Sequence, residues 1–217
     1  MSDESDPITA VAKAVEETAK AGRAFVEASS SDLARFLGKA LGTAAEDTVG
    51  LLGGDHLHEL RLRNLDKISR KTEEILRKRG VEDPEPIGPK ALLPALEAAS
   101  EESDETLQDM WASLLANAMD PNRDTSLPQI FIETLRQMEP IDVLVFRKMA
   151  EKAANEALSS QDLADRLACR ESLAAVSVER LTELGILREM GGGGPPHYVV
   201  SALGTELYLA SSPDASS

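Results

Sequence analysis

The chain has 217 residues and a formal net charge of -15, which excludes long-range attraction to nucleic acid or anionic membrane unless positive charge is concentrated locally. Its single cysteine, Cys169, excludes an intrachain disulfide and fits a reducing compartment. Aromatic residues make up only 3%, so the core must come from aliphatic side chains, of which Ala and Leu favour helices.

Polar and small residues at the two ends, 1–7 and 211–217, predict disordered tails. The first seven lack the basic-then-apolar pattern of a secretory signal, so we expect a cytoplasmic location. Between the tails we predict amphipathic and basic helices over 8–86, a central helical region over 87–138 and a winged-helix-like domain over 139–210. The predicted fold class is therefore mainly α, with one small β-hairpin near the C-terminal end.

Two amphipathic helices are predicted at the beginning of the chain. Apolar residues recur at helical spacing from Ile8 to Val26. A second stripe begins at Leu33, directly after Ser31 and Asp32, which are good N-cap types.

A third helix is expected from the turn at Gly53-Gly54-Asp55 to about Arg79, with Gly80 ending it. Residues 59–80 hold eight Lys or Arg and four Asp or Glu, the clearest charge asymmetry in the chain. This basic helix could bind phosphates, acidic lipid or an acidic partner, or be neutralised by the chain's own acids at 101–105. Its candidate surface residues are Arg61, Arg63, Lys67, Arg70 and Lys71.

The central region contains the strongest helical pattern. Prolines at 84, 86 and 89 predict a loop, and Lys90–Ala99 has a helical pattern. From 107 to 119, seven apolar positions share one helix face, and Pro121 ends the helix. This face, which includes the only tryptophan, Trp111, is expected to be core. Another helix is predicted around Pro128–Met138.

Beside that face, three polar residues repeat at i, i+4 and i+8. Asp109, Ser113 and Asn117 could line a groove, but such a strip is more typical of a solvated helix face. We keep all three as candidates for an interaction surface.

Residues from 139 to 210 have the layout of a winged helix-turn-helix. Helices are predicted at Ile141–Lys152, after a Ser159–Asp162 capping box, and at Glu171–Leu184. Two short strands, Ile186–Met190 and His197–Val200, are expected to form the wing, and a helix at Leu203–Ala210 closes the domain.

The charge of this domain argues against DNA recognition. Residues 140–217 contain seven Lys or Arg and eleven Asp or Glu. The predicted recognition helix carries Glu171, Glu179 and Glu183 against Arg180, and a DNA-reading helix needs positive charge facing phosphates. A protein-interaction or dimerisation module is favoured.

No motif indicates catalysis, a metal or a cofactor. His56 and His58 are two residues apart, so they point to different faces of a helix and make no ligand pair. Asp120, Asn122 and Asp124 mimic the start of an EF-hand loop, but its required later Gly and Glu are missing, so we predict a turn. With no convergent acid, base, nucleophile or ligand set, we predict that the protein is not an enzyme.

Two stretches carry a family resemblance: "VGLLGGDHLHELRLRNLDKI" and "PIGPKALLPALEAASEESDETLQDMWASLLANAMDP". They resemble the abortive-infection alpha (Abi-alpha) family of bacteria over roughly residues 45–140, most specifically at 107–121, and the resemblance continues more weakly into the C-terminal segment. The resemblance implies phage defence by abortive infection, and it carries no catalytic residues to this chain.

Our leading hypothesis is a defence protein that acts through a protein partner or a homo-oligomer. One alternative is an effector whose helices over 8–52 bind a membrane surface. Insertion is disfavoured, because Arg35, Lys39, Glu46 and Asp47 would each cost about 2.5–3.5 kcal/mol near the bilayer centre. The other alternative is a winged-helix transcriptional regulator.

Overall fold

The fold is described from a computed structural model, which covers residues 32–33, 35–40, 58–123, 126–151, 157–191 and 195–212. Its elements in chain order are α1 (His58–Lys78), α2 (Pro89–Ser100), α3 (Glu105–Met119), α4 (Gln129–Gln137), α5 (Pro140–Ala150), α6 (Ser160–Leu167), α7 (Glu171–Glu183), β1 (Leu187–Met190), β2 (His197–Val200) and α8 (Ala202–Ser211). The predicted mainly helical class with a C-terminal hairpin is confirmed.

The centre of the molecule is α3. Its apolar face is buried as predicted, with Trp111 1% exposed and Leu114 fully buried. The helix packs against α1, α5 and α8. Asp104 caps its first turn by accepting hydrogen bonds from the backbone N–H groups of Thr106 and Leu107. The stretch 107–119 is therefore core.

The chain before α1 is described only in part. Residues 35–40 are helical and Phe36 is buried, in agreement with the second predicted helix. Of the two residues that we considered as N-cap types, Asp32 already lies within the helix, and Ser31 lies outside the described residues. The prediction for 8–26, and most of the prediction for 8–52, fall outside the described residues. Within the residues that are described, no helix has both the length and the apolar character needed to cross a bilayer.

Local signals place the ends of several helices. Gly80 follows α1 with a φ of +73°, and Gly185 follows α7 with a φ of +74°, a conformation that glycine adopts without strain. At the start of α6, Ser159 and Asp162 form the predicted capping box. After α3, the backbone N–H of Asn122 donates to Asp120 Oδ1 at 3.0 Å, the turn that we expected in place of a calcium loop.

Helices α5, α6 and α7 precede the hairpin, in the order that a winged helix requires. Residues 168–170 form a short turn between α6 and α7, with Ala168 left-handed at φ 50°. The strands are antiparallel, with Leu187 opposite Val200 and Met190 opposite His197. Leu158 adds an isolated bridge to Tyr198, which sequence periodicity did not predict. The winged-helix class itself stays a prediction.

The last helix joins this region to the central helix. Helix α8 contacts β2 and α5 on one side and α3 on the other. Ser211 closes α8 and is buried, with its hydroxyl donating to the Leu207 carbonyl at 2.6 Å. The predicted tail over 211–217 is thus wrong at its first residue, because the helix continues through Ser211. The remainder from 213 lies outside the described residues.

Candidate interaction surface

The cationic residues of α1 divide into an inner and an outer group. Arg61 and Lys71 bind acids that lie outside α1. Arg61 lies 3.4 Å from a carboxylate oxygen of Glu101, and Lys71 lies 2.6 Å from Asp109 Oδ1 and 3.4 Å from the Glu105 carbonyl. The acidic segment after α2 therefore neutralises Arg61 through Glu101, as the sequence suggested, whereas Lys71 is neutralised by Asp109 on α3.

The outer group follows one exposed line along α1. Arg63, Lys67 and Arg70 are spaced i, i+4 and i+7, and all three are exposed. Leu60, one turn before Arg63, is 51% exposed. Arg70 also pairs with the buried carboxylate of Asp66 at 3.1 Å. We call Leu60, Arg63, Lys67 and Arg70 the α1 outer face.

The polar strip on α3 does not form a solvated face. Asp109 is exposed and bound to Lys71, but Ser113 is 1% exposed and Asn117 is fully buried. The Ser113 hydroxyl donates to the Asp109 carbonyl at 2.8 Å, and Asn117 Nδ2 donates to the Ala210 carbonyl at 2.6 Å. The expectation of a solvated strip is wrong for Ser113 and Asn117, because α8 covers that side of α3.

A cavity of about 530 Å³ opens between α1, α3, α5 and α8. Lys78 donates a hydrogen bond to Glu74 at 2.8 Å, and this bond, followed by the attraction between their charges, lowers the pKa of Glu74. Lys71 and Asp109 form a second pair there. In the described part of the chain, the Arg147 guanidinium has no ion-pair partner. The wall of the cavity includes Lys71, Lys78, Asp109, Ser113, Arg147 and Tyr208.

The charged side chains of this cavity are suited to binding an anionic group. Its paired side chains neutralise one another, and Arg147 leaves one cation that can face an anionic group. Among the described residues, no group of three or more His, Cys, Asp or Glu is placed to hold a metal ion.

The exposed side of α7 is apolar and acidic. Leu173 is 39% exposed and Val176 is 51% exposed, and Ser172, Glu179 and Glu183 lie on the same side. We call these five residues the α7 outer face. Sequence analysis found the glutamates but missed the apolar pair, whose i, i+3 spacing gave no sign that it would be left uncovered.

Arg180, the cation within α7, turns away from this face. Its guanidinium lies 3.3 Å from Asp142 Oδ2 and 3.8 Å from Glu139 on α5. Asp142 is fully buried and also accepts a hydrogen bond from the Ser177 hydroxyl at 2.7 Å. These contacts place Arg180 in the packing of α7 on α5, and among the described residues of α7 no Lys or Arg belongs to the outer face.

These features define a mainly helical protein whose C-terminal helices and hairpin pack on a central buried helix. The family model for abortive infection alpha matches residues 61–195, which is more than half of the chain, and the chain therefore belongs to the abortive infection alpha family. No curated protein and no solved structure matches the chain significantly.

The family match confirms the resemblance and shifts its extent. We expected the resemblance over roughly 45–140 with a weaker continuation into the C-terminal segment; the match begins later, at Arg61, and it does continue, to Pro195. It therefore includes α5, α6, α7 and β1, and it ends before β2 begins. The family is associated with abortive infection, a form of phage defence, and α5, α6 and α7 lie within the matched residues, as α3 does, whereas α8 lies beyond them.

Proposed function

We propose that this protein acts in phage defence as a non-enzymatic cytoplasmic protein, and that its α1 outer face binds an acidic protein surface. The observation that carries the proposal is the exposed line of cations on α1. Arg63 and Lys67 lie one turn apart and are exposed, on the same face of α1 as Leu60, which is 51% exposed.

Charge supports a protein partner over nucleic acid. With a net charge of -15, the whole protein repels polyanions at a distance, whereas a local basic face can dock on a local acidic patch. The α7 outer face adds further carboxylates where a DNA-reading helix would need cations. A partner with exposed carboxylates and an apolar contact for Leu60 fits the α1 outer face best.

The test is phage protection in a bacterial host that expresses the full chain. We expect plating efficiency to fall for at least one phage, with the culture surviving a low phage dose and collapsing at a high dose. The double variant Arg63→Glu/Lys67→Glu should lose this protection. Arg70 is left unchanged, because a carboxylate there would repel Asp66 and weaken the fold.

A matched control reverses two exposed cations elsewhere, in Lys90→Glu/Arg188→Glu. It changes the net charge equally and should keep full protection. Unfolding followed by the fluorescence of Trp111, the only tryptophan, verifies that all variants fold. Protection against no phage in the panel by the intact chain would overturn the defence role. Full protection by Arg63→Glu/Lys67→Glu would overturn the role of the α1 outer face.

A further inference from the structure

We propose that the acidic surface recognised by the α1 outer face is the α7 outer face of a second copy of this chain, so that copies associate head to tail. The inference rests on the proposed function and names its partner. It starts from a complementarity between two exposed helix faces of the same molecule.

The two faces match residue by residue. On α1, Leu60, Arg63 and Lys67 occupy positions i, i+3 and i+7 of one helix face. On α7, Val176, Glu179 and Glu183 occupy the same three positions. Laid side by side and parallel, the helices place Leu60 next to Val176, Arg63 next to Glu179 and Lys67 next to Glu183. The complementary stretch is about 10 Å long, at 1.5 Å of helix rise per residue.

The matching residues of both faces are exposed to solvent. Leu60 and Val176 are each 51% exposed, and all four charged residues of the match are exposed. Leu173, 39% exposed and one turn before Val176, widens the apolar end of the α7 outer face. Association would remove these apolar side chains from water and would bring opposite charges together at the polar end.

The surroundings of the α7 outer face keep it acidic. Arg180 is engaged by Asp142 and Glu139 on the inner side, so it does not neutralise Glu179 from within the chain. Glu189 on β1 adds to the negative charge beside Glu179. The pKa of Tyr198 is raised first by its burial and then by the negative charges of Glu189 and Glu179.

The contact joins two different faces, so each copy that uses one face retains the other. Such a heterologous contact generates a ring if the rotation closes and an open chain if it does not. In either case the fraction of associated copies increases as the protein concentration rises. Two copies of charge -15 also repel each other, so the contact is best measured near physiological salt, where the screening length is about 8 Å.

The test is the mass of the full chain in solution by sedimentation velocity, from about 1 to about 100 µM, the range of weak to moderate affinities. The weight-average mass of the intact chain should rise above the 23.3 kDa of one copy. Arg63→Glu/Lys67→Glu should stay at the mass of one copy, and so should Glu179→Lys/Glu183→Lys. The control Lys90→Glu/Arg188→Glu should associate as the intact chain does.

Charge exchange makes the test independent of folding defects. An equimolar mixture of the two double variants restores both kinds of contact, so its mass should rise to that of the intact chain. A chain that carries all four substitutions should associate again for the same reason. Restored association in either experiment shows that the variants are folded and that these four residues form the contact.

Three results would overturn the inference. They are an intact chain that stays at the mass of one copy throughout, association that persists in both double variants, and a mixture that remains dissociated. If Arg63→Glu/Lys67→Glu nevertheless loses phage protection, the proposed function stands with a different acidic partner. If charge exchange restores association but the intact chain protects against no phage, the head-to-tail contact stands and the defence role fails.

Discussion

Asn117 on α3 binds the end of α8 across 93 residues of sequence: its Nδ2 donates to the carbonyl of Ala210 at 2.6 Å and lies 3.3 Å from the carbonyl of Ser212. Asn117 is fully buried. The last carbonyls of a helix have no partner within the helix, so a side chain from α3 completes α8. This contact ties the C-terminal helix to the central helix of the family region.

Replacing Asn117 should therefore loosen the whole fold. We expect Asn117→Ala to lower the free energy of unfolding by about 1–3 kcal/mol, because it leaves buried carbonyls without a donor. Asn117→Asp should cost about 3 kcal/mol or more, because a buried carboxylate would face carbonyl oxygens. Urea unfolding followed by Trp111 fluorescence measures both. The control Asp109→Asn, on the same helix but exposed, should change stability by less than about 1 kcal/mol. A loss below about 0.5 kcal/mol for Asn117→Ala would contradict this role.

Asp142 and Ser177 should be energetically coupled. The Ser177 hydroxyl donates to Asp142 Oδ1 at 2.7 Å, and the backbone N–H of Glu139 donates to Asp142 Oδ2 at 2.8 Å. We expect Ser177→Ala to cost about 1–2 kcal/mol and Asp142→Ala about 3 kcal/mol, since the latter also leaves Arg180 without its buried partner. The stability lost by the double variant should be smaller than the sum of the two single losses by about 0.5–3 kcal/mol. Denaturant unfolding of the four proteins measures this difference, and additive losses would show that the pair is not coupled.

Gly204 should not tolerate a methyl group. A Cβ at this position would meet the backbone carbonyl oxygen of Ile186 and would lie 2.8 Å from Val200 Cγ1. We expect Gly204→Ala to destabilise the protein by about 1–3 kcal/mol, although alanine ordinarily favours a helix over glycine by about 1 kcal/mol. Thermal unfolding followed by helical circular dichroism measures the change. Gly191→Ala is the matched control, because a Cβ there meets nothing within 4 Å, and equal melting temperatures for the two variants would contradict the prediction.

The capping box of α6 should make stability depend on pH in acid. The Ser159 hydroxyl, and secondly the Ser159 backbone N–H, donate to the Asp162 carboxylate and lower its pKa below the ordinary value of 3.8. A carboxyl group whose pKa is lower in the folded state stabilises the fold above its ordinary pKa, and this contribution is lost as the pH falls through the folded-state pKa.

Comparison with Asp162→Ala isolates that contribution. At pH 7 the variant should be less stable than the intact chain by about 1 kcal/mol, the usual worth of such a cap. The difference should shrink as the pH falls below about 4, where the carboxylate takes up a proton. Urea unfolding at several pH values from 7 to well below about 4 measures it. A difference that stays constant into acid would show that the carboxylate charge is not involved.

The sequence by itself determined most of the helix positions and the central core. The seven apolar positions of α3, the glycines after α1 and α7, and the Ser159–Asp162 box act within a few residues of one another. Such interactions depend on the helical repeat and on local hydrogen bonds, so they can be recognised before any tertiary contact is known. The family resemblance over α3 was visible for the same reason, because the pattern lies in one continuous stretch.

Only the tertiary structure decided which polar residues face solvent. Asp109, Ser113 and Asn117 have the same spacing and similar polarity, yet α8 covers Asn117 and leaves Asp109 exposed. Arg61 and Arg63 are two residues apart, but Glu101 reaches only toward the side of α1 that carries Arg61. A helical pattern shows which residues share a face, whereas the element that covers the face comes from 40 to 93 residues away. That distant partner sets the burial and charge balance of each side chain, and so it separates the exposed cations of α1 from those that hold the fold together.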